Sequence, residues 1–400
     1  MNIRSGIMER FDVLIVGGGT AGITTAAHLR RHGVQDIAII EPTEVHYYQP
    51  LWTLVGAGVR SIDQSAKPMS KVIPPGVRWI KDSVASFVPD QNFLNCQSGK
   101  KFGYQWLIVC PGMEIMWDSI KGLRDALGKN GVTSNYAAQY APKTWDFFKA
   151  FVGGTALFTF PNSPVKCAGA PQKIMYLFED YVRKNGIRAK SRIIFASANK
   201  AIFGVQKYAD ALNKIIHDRG IETMFSNNLV EVKGNEKIAV FENLDSHQIT
   251  EIKFDFIHVT PPMTAPAFIR NSPLANQDGW INVDQFNMQH KIYKNIFGLG
   301  DASSLPTSKT GAAIRKQVPV MVQHLLAARR GATSDTKYNG YSSCPLVTGY
   351  GRLILAEFDY DGKPAETFPF DQSKERLSMY LLKKYILPKL YWYGMLKGRA

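Results

Sequence analysis

Residues 17–22 read Gly17-Gly18-Gly19-Thr20-Ala21-Gly22, directly after the apolar run Phe11-Asp12-Val13-Leu14-Ile15-Val16. A strand, a tight glycine turn and a helix start fit within one short span. Gly17 lets the chain turn, Gly19 lets the backbone approach a pyrophosphate, and Gly22 lets helix and strand pack closely. Thr20 stands at the helix start. Glu41 ends the next apolar run, Ile37-Ala38-Ile39-Ile40, about 20 residues beyond the last glycine, where a carboxylate can accept ribose hydroxyls. Strand, helix and acid in this register specify a βαβ unit built to hold a dinucleotide.

The rest of the chain must be accommodated around that unit. Its 400 residues exceed one small core, and two or three domains fit best. The composition is globular, with 45% hydrophobic and 20% charged residues. There is no solenoid repeat and no apolar run of about 18 residues that could span a bilayer. Residues 1–10 are too short and polar for a signal peptide. The net charge of +15 suits phosphates or anionic surfaces. No helix-turn-helix, zinc-finger or RNA-binding signature appears, so nucleic acid is not an expected partner. Four cysteines, Cys96, Cys110, Cys167 and Cys344, are too few for a disulfide scaffold, and neither they nor the scattered histidines have metal-ligand spacing.

Residues 77–84 and 106–109 read as further strands, the latter ending in Cys110-Pro111-Gly112. A second α/β unit begins near Gly153. Strands are expected at 156–160 and 192–196, and helices at 171–184 and 205–219. This unit lacks the phosphate fingerprint. Its first strand runs into Pro161-Asn162-Ser163-Pro164-Val165-Lys166-Cys167, and prolines cannot form a glycine cradle. A second dinucleotide such as NADH is therefore not expected there. Near residue 296 the chain reads Ile296-Phe297-Gly298-Leu299-Gly300-Asp301, followed by a helix over 312–330. Asp301 and that helix N-terminus can address a ribityl chain and phosphates, which favours FAD over NAD. The expected division is 1–150, first part of the FAD-binding domain; 151–280, second Rossmann-like domain; 281–335, return to the first domain; and 336–400, a C-terminal domain.

Cys167 lies just before the 171–184 helix, whose positive end favours a thiolate, with Lys166 next door. Cys344 lies in Tyr341-Ser342-Ser343-Cys344-Pro345-Leu346-Val347-Thr348-Gly349-Tyr350, far away in sequence. If both faced a flavin they could form a redox pair. Cys96 reads as inert in a polar turn and Cys110 as a packed small residue. Lys309 is a cation that can sit near a flavin's pyrimidine edge. Residues 377–397 interleave apolar and aromatic residues with lysines, and Tyr391-Trp392-Tyr393 suggest a headgroup-level interface.

These residues resemble the sulfide:quinone oxidoreductases of mitochondria and some bacteria. The resemblance is most specific over Phe160-Pro161-Asn162-Ser163-Pro164-Val165-Lys166-Cys167-Ala168-Gly169-Ala170-Pro171-Gln172-Lys173, over 341–350 and over 368–376. It implies an α/β fold with two Rossmann-like domains, FAD, and a C-terminal membrane-facing amphipathic element. It implies that Cys167 and Cys344 are the redox cysteines, that sulfide attacks their disulfide at Cys344 to leave a persulfide, and that Cys167 becomes the thiolate facing the flavin. Sulfite or glutathione would take the sulfane sulfur and quinone would reoxidise the flavin. Gly17, Gly19, Thr20, Gly22, Glu41, Gln49, Val84, Asp301 and Lys309 match FAD-contacting positions. The expected setting is the mitochondrial inner membrane or the cytoplasmic face of a bacterial plasma membrane, with a homodimer allowed. The chain departs from relatives at Ala302, where cysteine often follows the Gly-Asp motif. The competing readings are an NADH:quinone oxidoreductase of the same fold and a non-catalytic flavoprotein.

Overall fold

The computed structural model describes residues 8–400. The first domain opens with β1 (Glu9–Val16), α1 (Thr20–Arg31) and β2 (Ile37–Ile40), followed by β3 (Arg78–Ile80), β4 (Val84–Val88), β5 (Phe93–Cys96) and β6 (Lys101–Val109). The second holds β7 (Gly154–Phe160), α2 (Ala170–Lys184), β8 (Ser191–Ser197), α3 (Gln206–Asp218), β9 (Glu222–Met224) and β10 (Phe256–His258). The chain then forms β11 (Ile296–Gly298), α4 (Gly311–Ala328) and the hairpin strands β12 (Ser342–Gly349) and β13 (Arg352–Phe358).

In the first sheet the strand order is β3-β2-β1-β6-β5-β4, and β11 returns to pair with β6. Strands β3, β2, β1, β6 and β11 run parallel, and the β4–β5 hairpin adds an antiparallel edge. Val13, Leu14 and Ile15 have no exposed surface, as an apolar run covered on both faces requires. One strand read across 77–84 is in fact two. Asp82 accepts the Ser83 N–H at 2.8 Å and folds a side-chain turn that breaks the run between β3 and β4.

The second sheet is wholly parallel, in the order Val132–Thr133, β10, β7, β8, β9. Its outermost strand comes from before residue 151. Phe148, Phe158, Phe178 and Phe256 pack ring on ring with centroids 4.9 to 5.7 Å apart and fix α2 against the sheet. Each such pair contributes about 0.5–1.5 kcal/mol beyond area burial.

Two features bring distant chain back onto these domains. Asp180, fully buried in α2, accepts the Tyr350 N–H at 2.8 Å and Arg352 at 3.0 Å, so the β12–β13 turn is anchored to that helix. The C-terminal segment begins with the helix Leu377–Leu381 and continues through two wide π-helical turns, Leu382–Ile386 and Leu390–Gly394. It packs back on the first domain, where a Cβ on Gly398 would come within 2.9 Å of Ala27 in α1. Tyr391 and Trp392, read as interface aromatics, are buried against His46 and Tyr48, and of the three aromatics only Tyr393 is exposed. The π-helical turns alter the side-chain phase and turn the first two rings inward.

Candidate active site

Cys167 lies between β7 and α2, in the slot where a phosphate-binding loop would stand. Its φ of 56° is left-handed, an uncommon state for a residue with a side chain. The strap around Lys309 holds it there, because the Cys167 N–H donates to the Lys309 carbonyl at 2.9 Å. Cys344 comes from β12, opposite Ala356 in β13. The two sulfurs, 177 residues apart in the chain, lie 3.2 Å from each other. Both cysteines are free thiols, and closure to a disulfide, at about 2.05 Å, needs a shift of roughly an ångström. Gly169 makes the approach feasible: a Cβ there would fall 2.3 Å from Cys344 Sγ.

The pair is electrostatically asymmetric. Lys173 Nζ donates to Cys167 Sγ at 3.1 Å. The hydrogen bond from Cys344, helped by Lys173 and Lys383, holds the Cys167 thiol well below its ordinary value. The same hydrogen bond and burial push Cys344 well above it. Cys167 is therefore the member of the pair that ionises more readily, with Cys344 placed to donate its S–H. Burial alone would discharge Lys173, but attraction to both sulfurs outweighs it and raises its pKa. Lys383, in the first π-helical turn, is 5% exposed and donates to the Pro50 carbonyl at 3.3 Å. Burial, and repulsion by Lys173, push it down to about 7.

Sequence reasoning missed both lysines. It assigned the thiolate's cation to Lys166, which instead reaches Gln49 Oε1 at 3.4 Å and lies near Asp301. Lys173 carried a legible signal: it is a cation in the first turn of a helix, where the macrodipole disfavours positive charge unless an anion holds it. Lys383 belongs to the run of lysines interleaved with aromatics that reads as a headgroup-level segment, and nothing in the sequence separates it from Lys384.

The other candidate positions fall into three groups. The glycine turn is the first. Gly17 has φ +103°, and a Cβ on it would meet the Cys110 carbonyl at 2.6 Å; a Cβ on Gly22 would lie 1.9 Å from the Gly17 carbonyl. Gly19 faces open space at the α1 N-terminus, which has no side-chain cap and no acid in its first turn. That cradle fits a pyrophosphate. Glu41 accepts from the Gly18 N–H on Oε2 at 2.7 Å and from the Thr43 N–H and hydroxyl on Oε1, so it braces the turn, while Oε2 retains a lone pair for a hydroxyl. Thr20 is engaged by the C-terminal segment: its hydroxyl lies 2.9 Å from Tyr391, whose hydroxyl is 2.5 Å from His46 Nε2. His46 Nδ1 lies 3.1 Å from the Gly18 carbonyl, which makes Nδ1 the protonated nitrogen and Tyr391 the donor to Nε2.

The second group surrounds the sulfurs. Asp301 follows the Gly300 turn beside Ala21 of α1, and burial raises its pKa against the pull of Lys166 and Lys309. Lys309 is drawn down to about 8 by burial; its ammonium donates to the Ser303 carbonyl at 3.0 Å and lies 4.4 Å from the Trp280 ring. Gln49, Lys166, Cys167, Lys309 and Asp301 thus converge on the Cys167 side of the first domain. A cavity of about 770 Å3 opens here, lined by Val165, Ala168, Ser303 and Lys309 among others.

Val84, Cys96 and Cys110 form the remainder. Val84 is buried at the start of β4 and pairs with Cys96. Cys96 lies in no polar turn: it ends β5, buried, and its thiol is pushed up to about 12 by burial. Cys110 is buried behind Gly17, and burial likewise raises its pKa.

A nucleotide cradle beside a cysteine pair defines a flavin-dependent disulfide oxidoreductase architecture. In agreement, residues 11–155 match the pyridine nucleotide-disulphide oxidoreductase family. The chain is 50% identical over 392 residues to the mitochondrial sulfide:quinone oxidoreductase of Mus musculus, covering 98% of this chain and 87% of that one. It is 49% identical to the corresponding protein of Dictyostelium discoideum, covering 97% and 86%. Its fold superposes on the crystal structure of the sulfide:quinone oxidoreductase from Aquifex aeolicus with a TM-score of 0.83, at 19% identity, covering 98% of this chain and 92% of that one. The chain belongs to the sulfide:quinone oxidoreductase family.

Proposed function

We propose that this protein oxidises sulfide with a Cys167–Cys344 disulfide, FAD and a membrane quinone. The reading is carried by one observation, the 3.2 Å sulfur pair with the Lys173 ammonium 3.1 Å from Cys167 Sγ. In thiol–disulfide exchange the sulfur with the lower pKa leaves faster. HS⁻ therefore attacks Cys344 Sγ, the S–S bond breaks, and Cys167 departs as a thiolate paired with Lys173. Cys344 is left as a persulfide. A nucleophilic acceptor, sulfite or glutathione, takes the outer sulfur and leaves a Cys344 thiolate. Re-forming the disulfide from the two thiolates releases one electron pair. FAD, held by Gly17, Gly19, Thr20, Gly22, Glu41, Gln49, Val84, Asp301 and Lys309, supplies a two-electron acceptor there that quinone can reoxidise.

Among the described residues no helix is long and apolar enough to cross a membrane. Leu377, Leu381, Tyr385, Ile386 and Tyr393 are all exposed on the C-terminal segment and make its membrane-facing side. The protein then works as a peripheral enzyme of a quinone-bearing membrane, the mitochondrial inner membrane or the cytoplasmic face of a bacterial plasma membrane.

The direct test is steady-state reduction of a short-chain quinone. The expected result is reduction driven by sulfide and none driven by NADH, because Pro161 and Pro164 occupy the position of a second phosphate loop. NADH-driven turnover without sulfide dependence would overturn the proposal.

A further inference from the structure

The C-terminal segment has a charge pattern that burial of apolar surface does not explain. From residue 377 to the last, its charged residues are Lys383, Lys384, Lys389, Lys397 and Arg399, with no acid among them. Lys383 is the one turned into the active site. The others lie on the stretch that exposes Tyr385, Ile386 and Tyr393. Arg60 and Lys67, of the first domain, add two further cations, and these sit on rings. Arg60 lies 4.9 Å from the Tyr385 ring and donates to the Lys384 carbonyl at 2.7 Å. Lys67 lies 4.5 Å from the Trp392 ring and 5.0 Å from the Tyr393 ring. Lys384 lies 5.2 Å from Tyr385. A cation held over an aromatic face lies at the depth of that ring. Tyr385 and Tyr393 are half-exposed or more, so rings and cations reach the same depth of an interface.

We propose that this face is selective for anionic bilayers, with Arg60, Lys67, Lys384 and Lys389 forming a headgroup-binding collar around the apolar contact. The inference rests on the membrane-facing reading given above and adds the charge of the lipid to it. Exposed apolar side chains give attachment to any bilayer, whereas an acid-free ring of cations gains only where the surface is negative. Each cation that reaches such a surface tightens binding about fivefold, and the gain fades with salt within a Debye length.

Co-sedimentation of the FAD-loaded protein with vesicles of phosphatidylcholine alone, and of phosphatidylcholine with phosphatidylglycerol added, tests this at low and high salt. The expected result is measurable binding to both, at least tenfold tighter to the anionic vesicles at low salt, with that excess lost at high salt. The double variant Lys384→Gln/Lys389→Gln loses roughly 25-fold on anionic vesicles, with no change on neutral ones and none in turnover of a soluble short-chain quinone. Lys253→Gln, in a separate sheet, changes nothing. Equal binding to the two compositions overturns the charge selectivity and leaves the membrane reading standing. Absence of binding to either overturns both.

Discussion

Cys167→Ser and Cys344→Ser each lower sulfide-driven quinone reduction by about three orders of magnitude or more, since each removes a member of a unit that acts as one. Their stabilities differ, and that difference separates a redox pair from two packed cysteines. A serine at 344 is smaller, but its hydroxyl can still donate to the Cys167 thiolate, so the variant folds and keeps its flavin. A serine at 167 leaves the Lys173 ammonium buried without its anion. Breaking a buried pair from one side costs about 3–5 kcal/mol. In that variant the folded-state pKa of Lys173 falls below its unfolded value. The unfolded state then binds more protons, and stability rises with pH towards the alkaline range. Denaturant unfolding of both variants at several pH values checks this. Equal stability of the two at every pH, or retained turnover in both, contradicts the asymmetry.

Lys173→Met is the second large effect. The methionine keeps the length and apolar contact of the lysine stem but removes the charge that faces Cys167 Sγ. An opposite charge at this range is worth roughly 1–3 pKa units. In the native protein the thiolate's stabilisation is in full force above the ordinary thiol pKa and fades as pH falls through the depressed folded value. The variant loses part of that depression. Its acid limb in a plot of kcat against pH, which reports the forms generated after sulfide has attacked, therefore moves up by roughly 1–3 units, and activity at alkaline pH recovers most of the native level. Lys173→Arg, which keeps the charge, restores the limb. A purely structural lysine would lower activity evenly at all pH values and leave the limb in place.

How much of this site was readable in advance depends on the kind of contact. The glycine turn, Glu41 and the apolar runs of β1 and β2 declare themselves, because local backbone conformation and strand burial leave a short-range imprint. The replacement of a phosphate loop by Pro161 to Cys167 was readable for the same reason. The meeting of Cys167 with Cys344 came only from the family resemblance and not from spacing, since it depends on Asp180 anchoring the β12–β13 turn and on Gly169 yielding space, both long-range packing facts. The C-terminal segment illustrates the limit most clearly. Its alternation of lysines and aromatics looks uniform, yet Lys383, Tyr391 and Trp392 turn inward while Lys384, Tyr385 and Tyr393 turn outward. Two π-helical turns decide which, and no periodicity assumed for a regular helix reveals them. Cys96 was misplaced for a related reason: the polar residues around it belong to the hairpin turn that follows, not to the strand that buries it.

In the proposed reaction the two sulfurs lie together against the flavin and sulfide opens their bond. Anaerobic titration of the FAD-loaded protein with sulfide, followed in the visible spectrum, tests it most directly. The account predicts a long-wavelength band, reporting a thiolate in contact with the ring, that appears with the first equivalents of sulfide and is missing in Cys167→Ser. A flavin spectrum that does not respond to sulfide, or the same band undiminished in Cys167→Ser, would contradict it.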